Sequence, residues 1–186
     1  VVQSRVISGA KAILQTRGYS DVSVVEEEEH VDVLGSRKDP DTGKEETIVV
    51  RIPEKEVVGV KVLRDYAKFT KEQGIDHAIL LSRQKYTHYA RKEAREEGIE
   101  IFSTNFPFFN LFEHALVPNH AFASKEEIEK IQGRYSIKAT QLPKISENDP
   151  AAQLLGAKPG QVLRITRSSP TAGEFIGYRL VVSAEE

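Results

Sequence analysis

Five histidines are the first residues to test for chemistry, because imidazole titrates near neutral pH and ligates metals. His30 stands in the acidic run "EEEEHVD" (26–32), His77 enters an apolar stretch, and His88 lies among basic residues. His114 and His120 are six residues apart in "EHALVPNH", a spacing without helical or strand logic, and Glu113 is their one adjacent carboxylate. Surface or capping histidines are the expected reading. "DPDTGKEE" has the outline of a calcium loop, yet its Gly comes one place early and no oxygen ligand stands at the fifth position, so a hairpin turn is expected. A metal-dependent nuclease commonly needs a carboxylate and a strand carrying carboxylate-x-Lys, so that two acids hold a divalent ion while Lys steadies the nucleophile. No [DE]-x-K occurs in the chain. The glycine-rich nucleotide loops, G-x-S-x-G and H-E-x-x-H are equally missing. With no Cys, disulfides, thiol catalysis and thiolate metal sites are excluded. No catalytic residue, metal ligand or cofactor is therefore expected.

Binding is the remaining kind of chemistry. The formal net charge of −2 argues against a free-standing nucleic-acid binder. Its distribution is uneven, with the acidic run at 26–32 set against the basic stretch "RQKYTHYARKEAR" (83–95), a pattern suited to a protein held between unlike neighbours or simply to solvated faces. No apolar run approaches the ~20 residues that cross a bilayer, and no membrane partner is expected. Met is absent even at position 1, which leads us to expect residues upstream of Val1.

Several elements must position these groups. "SRVISGAKAILQTRGYS" spaces Val6, Ile7, Ala10, Ile13 and Leu14 on one helical face, with Gly18 as a stop. "EHVDVLGS" and "ETIVVRI" alternate as a hairpin. Helix and strand then alternate from 60 to 102, which predicts an α/β layer arrangement, and "ASKEEIEKIQG" carries a capping box from Ser124 to Glu127. Near residue 140 the sequence changes character. A short helix capped by Asp149 with Pro150 at its first position leads, through the turn "AKPGQ", to two strands joined by "SSPTAG". The expected division is 1–140 and 141–186. A domain of about 46 residues is near the limit for an independent core, so the second part is expected to lean on something else.

That second part carries a resemblance. "LPKI" (142–145), "DP" (149–150), "LG" (155–156), "KPGQV" (158–162), "RSSPTAG" (167–173) and "YRLV" (178–181) resemble the small domain of the fifth common subunit of eukaryotic RNA polymerases I, II and III, a domain that stands alone as one of the small chains of archaeal RNA polymerase. "RGY" (17–19) and "EHALVPNH" followed by "SKEEIEKIQGRY" look like the eukaryotic form's jaw domain.

The resemblance implies an α/β jaw domain, a mixed sheet with flanking helices, followed by a small α+β assembly domain. It implies a noncatalytic polymerase subunit in the nucleus, its tail docked on the largest subunit beside neighbouring shared subunits, its jaw near downstream duplex DNA. In the jaw, the family's DNA-proximal loop corresponds to Lys85, Thr87, His88 and Arg91, although the usual Thr-Pro-Ser here reads Thr87, His88, Tyr89. In the tail, one face of the strand pair is expected to pack on the short helix and the other to meet the partner. Arg164, Arg167, Tyr178 and Arg179 are the expected contacts, since Arg offers bidentate pairing. Two alternatives stay open: a stand-alone nuclease or nuclease relative on the same α/β domain, and a docking module for transcription regulators that uses the acidic run.

Overall fold

The apolar face of the opening segment forms α1 (Val2–Thr16), which ends where Gly18 takes a left-handed φ of 78°. The computed structural model describes residues 2–39, 43–54, 57–82, 85–102, 106–107, 109–169, 171 and 173–183. The tip of the expected turn at 39–46, Arg83 and Gln84 of the basic stretch, and Pro170 and Ala172 of "SSPTAG" lie outside these.

After α1 come the strands β1 (Ser20–Glu26), β2 (His30–Lys38) and β3 (Glu45–Pro53), then the short β4 (Val57–Val58). They are followed by α2 (Val60–Glu72), β5 (His77–Leu80), β6 (Lys85–Tyr86), α3 (His88–Glu97) and β7 (Glu100–Ile101). The main sheet has the order β1-β2-β3-β5-β7. Its first three strands are antiparallel and its last three parallel, so the sheet is mixed as expected. β4 and β6 form a separate parallel pair.

β2 and β3 are buried on both faces because helices cover both. Gly35 of β2 faces α1, and a Cβ there would stand 3.2 Å from Tyr19 Cβ and 3.4 Å from Leu14 Cδ1, so glycine lets the helix approach. The next side chain, Leu34, points the other way and packs with Val49, Leu63, Tyr66, Ala90 and Ala94 under α2 and α3. Tyr66 anchors that layer: wholly buried, its hydroxyl lies 2.9 Å from Val49 O and 3.0 Å from Ile79 O. On the outer side, Arg64 pairs with Glu93 at 2.6 Å and joins the two helices.

The first compact unit runs to Phe109 and the second begins at Asn110, well before the expected change at 140. The reason is pairing that sequence distance conceals. The second unit comprises β8 (Asn119–Phe122), α4 (Lys125–Tyr135), β9 (Lys144–Ser146), α5 (Pro150–Leu155), β10 (Val162–Ser169) and β11 (Gly173–Val182). Its sheet has the order β8-β10-β11-β9, with β8 antiparallel to β10 and β9 parallel to β11. One face packs Leu163 and Val181 with Ala152 and Ala157 around α5. The opposite face does not stand open as expected: Val162, Leu180 and Leu142 are covered by Ala123, Ile128, Ile131 and Ile137, on and beside α4. Among the described residues, no helix is long and apolar enough to cross a membrane.

Candidate functional site

Three places in the two units concentrate side chains that could do more than hold the fold. At the start of α3, Tyr86 is buried, its hydroxyl accepting from Ser82 N–H at 2.9 Å and donating to Leu80 O at 3.2 Å. Burial pushes its phenol well above the ordinary tyrosine range. This tether fixes Lys85 and Thr87 on either side. Thr87 caps α3, its Oγ1 accepting from Ala90 N–H at 3.1 Å, while its own O–H remains available as a donor. His88 occupies the first helical position that Pro favours, so the departure from Thr-Pro-Ser does not alter the helix start. Lys85, His88 and Arg91 are exposed and make no ion pair among the described residues, so each can turn to a phosphate. Tyr89, which the sequence marked only as part of the departure from Thr-Pro-Ser, is 74% exposed, its ring edge-on to His88 at 5.9 Å. The structure brings the four expected residues to one helix end, whose free N–H groups favour an anion.

The second place is the strand pair of β10 and β11. Its four expected contacts divide. Arg164 donates to Glu127 Oε1 at 2.8 Å, and Glu127 also accepts from Ser124 N–H at 2.8 Å to complete the capping box of α4. The Ser124 N–H, with Arg164 adding to it, holds the Glu127 carboxyl below the usual range. Tyr178 packs against the cluster under α4, and Arg179 reaches Lys144 O at 3.3 Å. Of the four, Arg167 alone is exposed, directly opposite Phe175. Phe175 and Ile176, 66% and 45% exposed, stand at this end of the hairpin, and sequence reasoning missed them as contacts. They were legible as "EFIG", two large apolar groups on adjacent and hence opposite-facing positions of a strand with one short helix to cover it.

The third place lies inside the first unit. Arg51 of β3 donates from Nε and Nη2 to Asp32 Oδ1 and Oδ2 of β2 at 2.7 and 2.6 Å, and the two are direct cross-strand partners. Both are buried, at 8% and 5% exposure. The guanidinium lies 4.6 Å from the ring centres of Tyr66 and of Phe69. His30 Nε2 is 3.5 Å from Asp32 Oδ2 and 3.4 Å from Glu27 Oε2. His114 and His120 do not converge on a metal: His114 Nδ1 accepts from Leu116 N–H, and the His120 ring bonds Pro118 O at 2.8 Å.

Comparison with known proteins separates the chain near the same place. The family described as restriction endonuclease matches residues 8–105, and that described as RNA polymerase Rpb5, C-terminal domain, matches residues 109–181. The DNA-directed RNA polymerases I, II, and III subunit rpabc1 of Dictyostelium discoideum is 35% identical over 143 residues, 74% of this chain and 73% of that protein. The corresponding subunit of Caenorhabditis elegans is 36% identical over 137 residues, 72% of this chain and 65% of that protein. The DNA-directed RNA polymerase subunit Rpo5 of Methanocaldococcus jannaschii is 57% identical over 70 residues, 38% of this chain and 90% of that protein.

Proposed function

Because the chain belongs to the family of the DNA-directed RNA polymerase subunits RPABC1 and Rpo5, with a first unit of the restriction endonuclease family, we propose that it is a noncatalytic subunit of such a polymerase. The second unit docks on the largest subunit, beside neighbouring shared subunits. The first unit acts as the jaw that holds and guides downstream duplex DNA. The compartment follows the polymerase, the nucleus in a eukaryotic cell, and transcription regulators can approach the acidic run at 26–32.

One observation carries the docking reading: the hairpin end presents Arg167, Phe175 and Ile176 to solvent within the segment that matches the polymerase family. Exposed aromatic and Arg side chains of this kind are enriched at interfaces. For the jaw, the support is the helix end at Thr87 with Lys85, His88 and Arg91 around it, a set suited to sequence-independent phosphate contacts.

The test is to tag the chain at its N-terminus, purify it from its native cells at moderate salt, and identify what accompanies it. Polymerase subunits in near-equal amount with the unaltered chain, and their loss with Phe175→Asp and Arg167→Glu, are expected. A chain that emerges alone overturns the assignment. The second reading, a nuclease, rests on the match of residues 8–105 to the restriction endonuclease family; magnesium-dependent cleavage by the isolated chain, abolished by a single carboxylate change, is the outcome that would establish it.

A further inference from the structure

Membership of the first unit in a restriction endonuclease family implies a divalent ion, and the residues present can be tested against it. Metal-assisted hydrolysis needs two acids converging on the ion and a cation beside the nucleophile. In the core of this unit the two central strands of the sheet supply a single acid. Asp32 stands on β2; on β3 the two-residue step that would read carboxylate-x-Lys reads Val49, Val50, Arg51. Val49 and Arg51 share the face turned to α2, and Val49 stands across from Leu34, wholly buried among apolar side chains. Both oxygens of Asp32 are occupied by the Arg51 fork. Among the described residues, no group of three His, Cys, Asp or Glu could hold a metal ion. The residues do not fit the metal.

From this disagreement we propose that Arg51 occupies the place in which a metal-dependent nuclease of this architecture would hold its divalent ion, so that the guanidinium has replaced the metal and closed the site to it. The charge balance agrees. A lone carboxylate needs a single positive charge, and Arg supplies one that never titrates, in a fork matching the carboxylate. Tyr66 and Phe69 flank the guanidinium at a distance suited to cation–π attraction, which a hydrated divalent ion could not use without losing its water. Val49 removes the second acid and with it the demand for a second charge. Tyr66, whose hydroxyl spans Val49 O and Ile79 O, holds the flanking ring in place. The site is a metal centre turned into an internal ion pair that joins β2, β3 and α2, in a unit that keeps a nuclease framework without its chemistry.

The proposal predicts that two substitutions reopen the site. In the full chain, Val49→Glu with Arg51→Lys restores Glu-x-Lys beside Asp32; Val49→Asp with Arg51→Lys is made in parallel, so that the length of Glu does not decide the result. Mn2+ binding is read by titration calorimetry, and the melting temperature is measured with and without Mn2+. The unaltered chain is expected to bind none at the pair and to melt unchanged. At least one double variant is expected to bind one Mn2+ per chain, to gain melting temperature saturably with Mn2+, and to lose both on adding Asp32→Asn. Folded double variants that bind no more Mn2+ than the unaltered chain overturn the proposal, as does Asp32-dependent binding by the unaltered chain. Should both variants be unfolded without metal, refolding by Mn2+ supports it, and failure to refold in Mn2+ refutes it.

Discussion

Phe175→Ala is the substitution that most directly separates docking from folding. The side chain is 66% exposed at the end of the hairpin, across from Arg167. A phenylalanine buries roughly 150–250 Å², so a partner that completes its burial covers about 130 Å² more, about 3 kcal/mol at ~25 cal/mol per Å². Ordering side chains at an interface costs about 0.5–1.5 kcal/mol each, which leaves about 2 kcal/mol, or about a 30-fold loss in affinity. The isolated chain should scarcely notice, because a change at an exposed site usually stays within ~0.5 kcal/mol. The assay is a titration of the purified chain against a polymerase assembly lacking this subunit, read by biolayer interferometry, with thermal melts of each variant alone. Wild-type affinity with an unchanged melt refutes the docking surface. A melting temperature lowered by many degrees would instead show that Phe175 belongs to the core of its own unit, and would sink the reasoning from exposure.

Other consequences can be checked separately. Lys85→Glu with Arg91→Glu should weaken elongation complexes more at low than at high salt, lowering the slope of log affinity against log salt by about 2 if each cation meets one phosphate; a salt-independent loss would point to misfolding. Arg51→Met should destabilise the first unit by about 3–5 kcal/mol in urea titrations because it strands a buried carboxylate, whereas Asp32→Leu combined with Arg51→Met should recover most of that. Tyr66→Phe should cost about 1–3 kcal/mol by removing the buried donor shared by two strand carbonyls. Since the Glu127 carboxyl is held below its ordinary range, its contribution to the second unit is complete at neutral pH and is lost as pH falls through the folded value. Glu127→Gln should therefore flatten the acid side of the urea midpoint plotted against pH.

How much of this could be read from the residues depended on range. α1, β2, β3 and α2 declare themselves through local periodicity and Gly stops, and the cap of α4 through the Ser124 and Glu127 spacing. β1 escaped because it is an edge strand whose inward positions, Val22 and Val24, are only half-buried, leaving weak alternation beside the glutamates. β8 escaped because its partner, β10, is far along the chain, and the early boundary follows from the same pairing. In the candidate sites, Thr87 was named through the family's loop, and its role as the cap of α3 came from the structure. The Asp32–Arg51 bond was not, since a charge on each of two apolar strands becomes a pair only once the register is known. Arg164 and Tyr178 looked like contacts because the strand pattern assigns faces without saying what already covers them.

The strand order of the second sheet also sets a timetable. β8 and β9 are its two edges, while β10 and β11, last in sequence, form its middle. During synthesis, the first unit has every strand of its sheet once β7 has emerged, and can fold while the rest is still being made. The second unit has no such partial solution, because its early strands have nothing between them until the final hairpin arrives. Synthesis halted before β11 thus leaves a folded first unit with an unformed second one. If the second unit is the dock, as proposed above, incorporation becomes a check on translation, passed only by chains in which β11 has been made.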